Sequence, residues 1–309
     1  MKILLAVDDS RFSEAAAQTV LIQASPQRDE VLVVHVVDIL TTCIPEMAAY
    51  YPGVEHGRDA QRKIAETLVD RFGESLCKQH LRVSTHIEWG NPKSKIIDTA
   101  AGWCADLIVL GSHGLTGLDR FLMGSVASAV IHHAHCSVEL VRIPAVAKGT
   151  GNSEARSRGK LQKILLPVDD STFSEGASQF LSEQVLPSKA EIRVMHVVEP
   201  PTLLVFREMC GQELELQHIW EDQTQLARAF VDMVAERFRG KQLEVTTRVA
   251  EGDPKSKILD EAQQWKADLI VMGSHGRTSF ARFLLGSVSD AVASHACCSV
   301  ELVRKTSSN

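Results

Sequence analysis

No stretch of this 309-residue chain approaches the roughly 20 consecutive apolar residues needed to span a bilayer, so no membrane-embedded role is expected. Basic charge is not in excess either: 33 Lys and Arg stand against 39 Asp and Glu, for a formal net charge of −6. That balance argues against nucleic acid or an anionic membrane surface as the main partner. The seven cysteines are odd in number and include no C-x-x-C pair. Reduced thiols in a cytoplasmic protein are the simplest account of them. The N-terminal run Met1 to Asp8 is apolar too briefly for a signal peptide and leads straight into a strand pattern. Neither the Walker A spacing G-x4-G-K-[ST] nor the dinucleotide fingerprint G-x-G-x-x-G describes the glycine loops below.

What the chain does have, it has twice. Gly111-Ser112-His113-Gly114 is followed by Gly124-Ser125, and Gly273-Ser274-His275-Gly276 by Gly286-Ser287, so both copies read G-x2-G-x9-G-S. Gly111 and Gly273, Gly90 and Gly252, and Cys136 and Cys298 all stand 162 residues apart, whereas Asp8 and Asp169 stand 161 apart. A net insertion of one residue therefore lies between the first strand and Gly252. A period of this length is that of an ordinary domain rather than of a solenoid unit. Two tandem domains are expected, at residues 1–145 and 161–305. Between them lies a Gly-, Ser- and charge-rich linker over 146–160 with no apolar periodicity.

Each copy alternates between strand and helix patterns. Lys2 to Val7 and Lys163 to Val168 are short apolar runs ending in Asp-Asp-Ser, which suits a buried parallel strand followed by a serine-capped helix. Val31 to Val37 and Ile192 to Val198 read as second strands, and Gly57 to Cys77 and Glu213 to Phe238 as long charged helices. Third strands near Val83 to Ile87 and Val245 to Val249 precede helices opened by Gly90-Asn91-Pro92 and Gly252-Asp253-Pro254. The runs before the glycine loops are fourth strands, and Ser137 to Val141 and Ser299 to Val303 are fifth strands. This order predicts an α/β fold: two tandem doubly wound, Rossmann-like domains. Each has a mostly parallel five-stranded sheet with helices on both faces.

A strand that opens into a glycine loop and then a helix start is what phosphate binding requires. Glycine at 111 and 114 lets the backbone take positive φ and approach a ligand without a Cβ in the way. Gly124-Ser125 begins an apolar helix whose free N–H groups and dipole face the loop. The bland alternative makes these glycines ordinary turn and cap residues; recurrence at identical spacing weighs against it. Asp8 and Asp169 end the first strands at their carboxyl edge, where such folds bind ligands, and suit either a ribose or adenine contact or a helix cap.

Val7-Asp8-x-Ser10, His35-Val36-Val37-Asp38, Gly90-x-Pro92, the glycine loop and Cys136-Ser137-Val138 together resemble the universal stress protein (UspA) domain. The second copy matches through Val168-Asp169-x-Ser171, His196-Val197-Val198-Glu199, Gly252-x-Pro254, Gly273 to Ser287 and Cys298-Ser299-Val300. The full glycine motif marks the family's ATP-binding branch, so the resemblance implies a fold like that of the adenine nucleotide alpha hydrolases, with ATP, possibly accompanied by Mg²⁺, in each domain. It implies Asp8 and the Val36 backbone at the adenosine. Gly111, His113, Gly114, Gly124, Ser125 and Val126 would then surround ribose and phosphates. The matching positions are Asp169, Val197, Gly273, His275, Gly276, Gly286, Ser287 and Val288. Arg277 keeps the basic residue common after G-S-H-G while Leu115 departs from it, so the second site is expected to be the tighter. The resemblance further implies intramolecular pairing of the domains through their last strands, with a homodimer as another candidate assembly, although Glu139 and Glu301 put charge into those strands.

Other clusters carry bland readings. His132, His133 and His135 suit a helix C-terminus better than a metal site, since no Cys, Asp or Glu ligand set accompanies them. Cys297-Cys298 reads as buried and inert, and Trp103 and Trp265 as packing residues. No nucleophile with its base recurs, and Asp8 belongs at the nucleoside end, away from a γ-phosphate; dedicated catalysis is not expected beyond slow ATP hydrolysis. The variable segments Thr41 to Gly57 and Pro200 to Gly211 are expected near the pocket mouth. The expected function is that of a nucleotide-responsive stress or signalling protein, with a scaffold of vestigial pockets, or a slow ATPase, as the alternatives.

Overall fold

The apolar runs of each half become strands buried on both sides. In the computed structural model, residues 1–38, 54–114, 123–143, 161–199, 213–276 and 285–304 are described. Contacts divide the chain into two units, Met1–Lys160 with Arg304–Asn309, and Leu161–Val303. In the first, the described elements are β1 (Lys2–Ala6), α1 (Arg11–Gln23), β2 (Glu30–Val37), α2 (Val54–Cys77) and β3 (Arg82–Trp89). They continue with α3 (Pro92–Trp103), β4 (Leu107–Gly111), α4 (Ser125–His133) and β5 (Ser137–Val141). The strands lie in the order β3-β2-β1-β4-β5, every neighbour parallel.

Leu4 and Leu5, whose side chains point to opposite faces, are both fully buried, because helices cover both. On one face Ile3, Leu5, Val31, Val33, Leu107 and Val109 pack against Ala16, Ala17 and Val20 of α1 and Leu68, Val69, Phe72 and Leu76 of α2. The alternate strand residues, Leu4, Ile108 and Leu140 among them, are buried under α3 and α4, which contribute Ile96, Ala100, Val130 and Ile131.

Local chemistry sets the helix ends. Ser10 caps α1, its hydroxyl accepting from the Ser13 N–H, and Asn91 caps α3 ahead of Pro92. Gly90 sits at φ +139°, a conformation that side chains rarely take, and turns the chain from β3 into that cap. Trp103, at the end of α3, lies beneath the Lys2 ammonium, 5.3 Å from the ring centroid, as rim packing.

The second unit repeats this plan. It consists of β6 (Lys163–Pro167), α5 (Thr172–Glu183), β7 (Glu191–Val198), α6 (Glu213–Glu236), β8 (Glu244–Glu251), α7 (Pro254–Trp265), β9 (Leu269–Gly273), α8 (Ser287–His295) and β10 (Ser299–Val303). Its order is β8-β7-β6-β9-β10, again all parallel. Among the described residues no helix is long and apolar enough to cross a membrane.

Candidate functional site

From β1 the chain winds to β2 and β3 on one side, then crosses to β4 and β5 on the other. A crevice therefore opens beyond the carboxyl ends of β1 and β4, where a doubly wound sheet reverses its strand order. Asp8 follows β1 and the glycine loop follows β4, so the topology brings the two features into one place.

Asp8 braces the start of α1 with one carboxylate oxygen and turns the other toward the loop. Its Oδ1 accepts from the Ser10 N–H (3.1 Å) and the Ser13 hydroxyl (2.6 Å), which locks the carboxylate to the start of α1. Its Oδ2 faces the loop: a Cβ built on Gly114 would stand 2.7 Å from it. Asp169 does the same. Its Oδ1 accepts from the Ser171 N–H (3.1 Å) and hydroxyl (2.5 Å), and a Cβ on Gly276 would stand 3.1 Å from its Oδ2. Half of each carboxylate is thus structural, and half is presented to the crevice.

Of the two freedoms that glycine offers the loop, close approach is the one used, and positive φ is not. Among described glycines only Gly90, Gly240 and Gly252 have it. A Cβ on Gly111 would lie 2.6 Å from Phe12 Cβ, and one on Gly273 would lie 2.8 Å from the Phe173 carbonyl carbon, because the helix after the first strand packs onto the end of the fourth. Gly124, at φ −60°, donates its N–H to the Ser112 carbonyl (2.8 Å), and a Cβ there would press on that oxygen at 3.2 Å. Gly286 likewise donates to the Ser274 carbonyl at 2.9 Å. Among the described residues no side chain caps α4 or α8, which leaves the first-turn N–H groups at Ser125-Val126 and Ser287-Val288 at the positive ends of both helices.

Val36 and Val197 enter through the alternation of backbone groups along a strand. The Val7 N–H donates to the Val34 carbonyl, and the Val168 N–H to that of Met195. Two residues on, the peptide groups of Val36 and Val197 point the same way, past the end of β1 and β6 and toward the crevice. His113 turns its Nδ1 to the Ser112 hydroxyl (3.1 Å), with its ring 5.1 Å from that of Phe12. His275 repeats this against Ser274 (3.0 Å) and Phe173 (4.7 Å).

In the second unit these parts line one cleft of about 970 Å³, whose walls include Asp169, Val197, Gly273, His275, Gly276, Gly286, Ser287 and Val288. That volume suits a cofactor-sized ligand. Leu115 and Arg277, and the variable segments over 41–53 and 200–211, lie outside the described residues.

Two contributors had no assigned role in the sequence reading. His35 and His196 each direct Nδ1 to the carbonyl of the residue before the site aspartate, Val7 (2.8 Å) and Val168 (2.7 Å). His196 also lines the cleft, edge-on to Phe230 at 5.6 Å. Their recurrence before Val36 and Val197 was the available signal. Ser13 and Ser174, which accept the Asp8 and Asp169 N–H, were hidden inside the helix pattern.

The remaining clusters stay apart from the crevice. The His132 ring donates to the Ser128 carbonyl (2.7 Å), and among the described residues no three His, Cys, Asp or Glu side chains are grouped to hold a metal. Cys136 and Cys298 are buried, and burial pushes the Cys136 thiol up to about 11, which keeps it protonated; Cys297, by contrast, is exposed.

The family model described as the universal stress protein family matches residues 1–142 and 160–304. A universal stress protein of Mycolicibacterium smegmatis is 30% identical over 98% of this chain and 96% of its own length. One of Mycobacterium tuberculosis is 28% identical, covering 94% and 92% respectively. The crystal structure of a universal stress protein from Archaeoglobus fulgidus superposes with a TM-score of 0.63, covering 99% of this chain and 98% of that one; at 18% identity it speaks for the fold alone.

Proposed function

The chain belongs to the universal stress protein family, and from that premise we propose that each unit binds an adenine nucleotide, ATP in the first place, and that occupancy sets the protein's state in a stress or signalling response. The observation that carries this reading is the loop built without side chains. Gly114 and Gly276 leave space against an aspartate oxygen, and Gly124 and Gly286 start helices that no described side chain caps. A ligand suited to these parts has hydroxyls for the carboxylate and an anionic tail for the helix end, as a nucleotide does. Asp8 or Asp169 would hold the ribose, the Val36 or Val197 backbone the base edge, and Ser125-Val126 or Ser287-Val288 the phosphates. Bound nucleotide supplies negative charge and, with Mg²⁺, a compact phosphate tail.

The reading assigns no dedicated catalysis, since the carboxylate faces the nucleoside end. It places the protein in the cytoplasm, in keeping with the described cysteines Cys77, Cys104, Cys136, Cys297 and Cys298, none of which is in a disulfide. Native mass spectrometry of the purified chain, with denaturing extraction to identify what it carries, tests the proposal. Two adenine nucleotides per chain are expected. No nucleotide, and none taken up from millimolar ATP and Mg²⁺, overturns it and leaves the glycines architectural.

A further inference from the structure

Four large apolar side chains stand in water among the described residues, Ile64, Val185, Leu226 and Met233. Single exposed apolar residues are ordinary, but two of these form a pair. Ile64 on α2 and Leu226 on α6 occupy the same position of the repeat, and they are exposed to nearly the same extent, 69% and 70%. Each opens the same short pattern: Ile64-Ala65 followed by Leu68, and Leu226-Ala227 followed by Phe230. The alanine is buried in both, at 1% and 6%. In the second unit Leu226, Ala227 and Phe230 line the cleft.

The cleft therefore has two unlike ends. One presents Asp169, the glycine loop and the α8 start. The other is mostly apolar, made by Leu226, Ala227 and Phe230 of α6, beside Gln223, together with Met195 and Val197 of β7. His196 holds Phe230 edge-on while its Nδ1 is engaged with the Val168 carbonyl, so this end is fixed from below. Leu226 is the exposed member of that apolar group.

Building on the nucleotide reading, we infer that Leu226, and Ile64 at the matching position, is the lip that closes over the flat face of the base and so helps to select an aromatic head group. The base covers an aliphatic side chain that otherwise faces solvent, and that gain is made only in the complex.

The test is calorimetric titration of the full chain with ATP and Mg²⁺, using Ile64→Ala/Leu226→Ala and its conservative counterpart Ile64→Met/Leu226→Met. Because both side chains are exposed, the ligand-free melting temperature is expected to stay within about a degree of wild type in either variant. ATP affinity is expected to fall about tenfold in the alanine variant and to recover to within about twofold in the methionine variant. Unchanged ATP binding by the alanine variant overturns the lip alone. A loss that methionine does not restore, or one accompanied by a fall in the ligand-free melting temperature, also overturns it by showing a role in folding. A wild-type chain that takes up no nucleotide overturns the lip and the nucleotide reading together.

Discussion

The two units keep the groups that face the crevice and exchange those that stand behind them. Asp8 and Asp169, the paired glycines, the uncapped helix starts and the His35 and His196 contacts recur almost bond for bond. Behind them the substitutions are free. Phe72 and Leu76 on α2 correspond to Val234 on α6 and Phe238 in the turn just after it, so the bulky ring moves four residues along the chain while the layer stays filled. The Asp8 carboxylate takes its hydroxyl donor from Ser13, but that of Asp169 takes it from Ser171. Arg193 on β7 reaches Glu261 at 2.5 Å, with Arg248 3.6 Å from the same carboxylate and the Trp265 ring 4.4 Å from the guanidinium carbon; the first unit has Leu32, Thr99 and His86 at those positions. Packing can be met in many ways, whereas a carboxylate oxygen beside a missing Cβ can be met in few.

The hardest way to break the likeness is to empty the cores one at a time. Phe72→Ala and Phe238→Ala each remove a ring that is at most 2% exposed, and each is expected to cost about 3–5 kcal/mol. Scanning calorimetry of the full chain is expected to show each variant shifting the melting of its own unit. A shift confined to one unit for both variants would contradict two separate cores.

Next in size is the pH response of the first unit. Glu139 is 1% exposed on β5, with Gln23 donating to its Oε1 at 3.2 Å, and burial raises its carboxyl to about 7. Because the folded value lies above the unfolded one, the fold holds the extra proton. Its contribution is complete below the ordinary carboxyl range, falls as pH rises from about 4.5, and is gone above about 7. Denaturant titrations at pH 5 and pH 8 are expected to differ by an amount on the order of 2 kcal/mol, and Glu139→Gln is expected to flatten that difference. A wild-type profile as flat as that of the variant would show the carboxylate to be compensated.

The glycine loops separate the units more finely. Alanine at 114 would press on Asp8 Oδ2 at 2.7 Å, and alanine at 276 would stand 3.1 Å from Asp169 Oδ2. Gly114→Ala is expected to weaken nucleotide binding by roughly tenfold, about 1.4 kcal/mol, and Gly276→Ala by less. Titration of each variant reads this, and a larger loss from Gly276→Ala would reverse the ranking.

The fold was legible because alternating apolar runs and amphipathic helices repeat at domain length, and both faces of each sheet are covered. The crevice was legible from the loop spacing and from Asp8. The glycines' reason was not: the sequence signals that a side chain is absent, but whether the space serves φ, Phe12 or Asp8 depends on contacts between residues about a hundred positions apart. The burial of Glu139 was equally hidden, since a charged residue in S-V-E-L-V reads as exposure.

The smallest difference bears on which site is tighter. Arg277 is the ground for expecting the second site to be tighter, but the first turn of α8 carries Asp290 where α4 has Ser128. A carboxylate there stabilises the helix start and opposes an anion bound at the same N–H groups, each by about 0.3–1 kcal/mol. Asp290→Asn is therefore expected to tighten nucleotide binding in the second unit about two- to fivefold while slightly lowering that unit's melting temperature. Titration at low and at 0.5 M salt separates the causes: a gain that shrinks with salt is electrostatic, and one that persists points to rearrangement of the turn. If the variant binds no more tightly at low salt, the Asp290 charge does not act on the bound anion, and Arg277 alone decides the ranking.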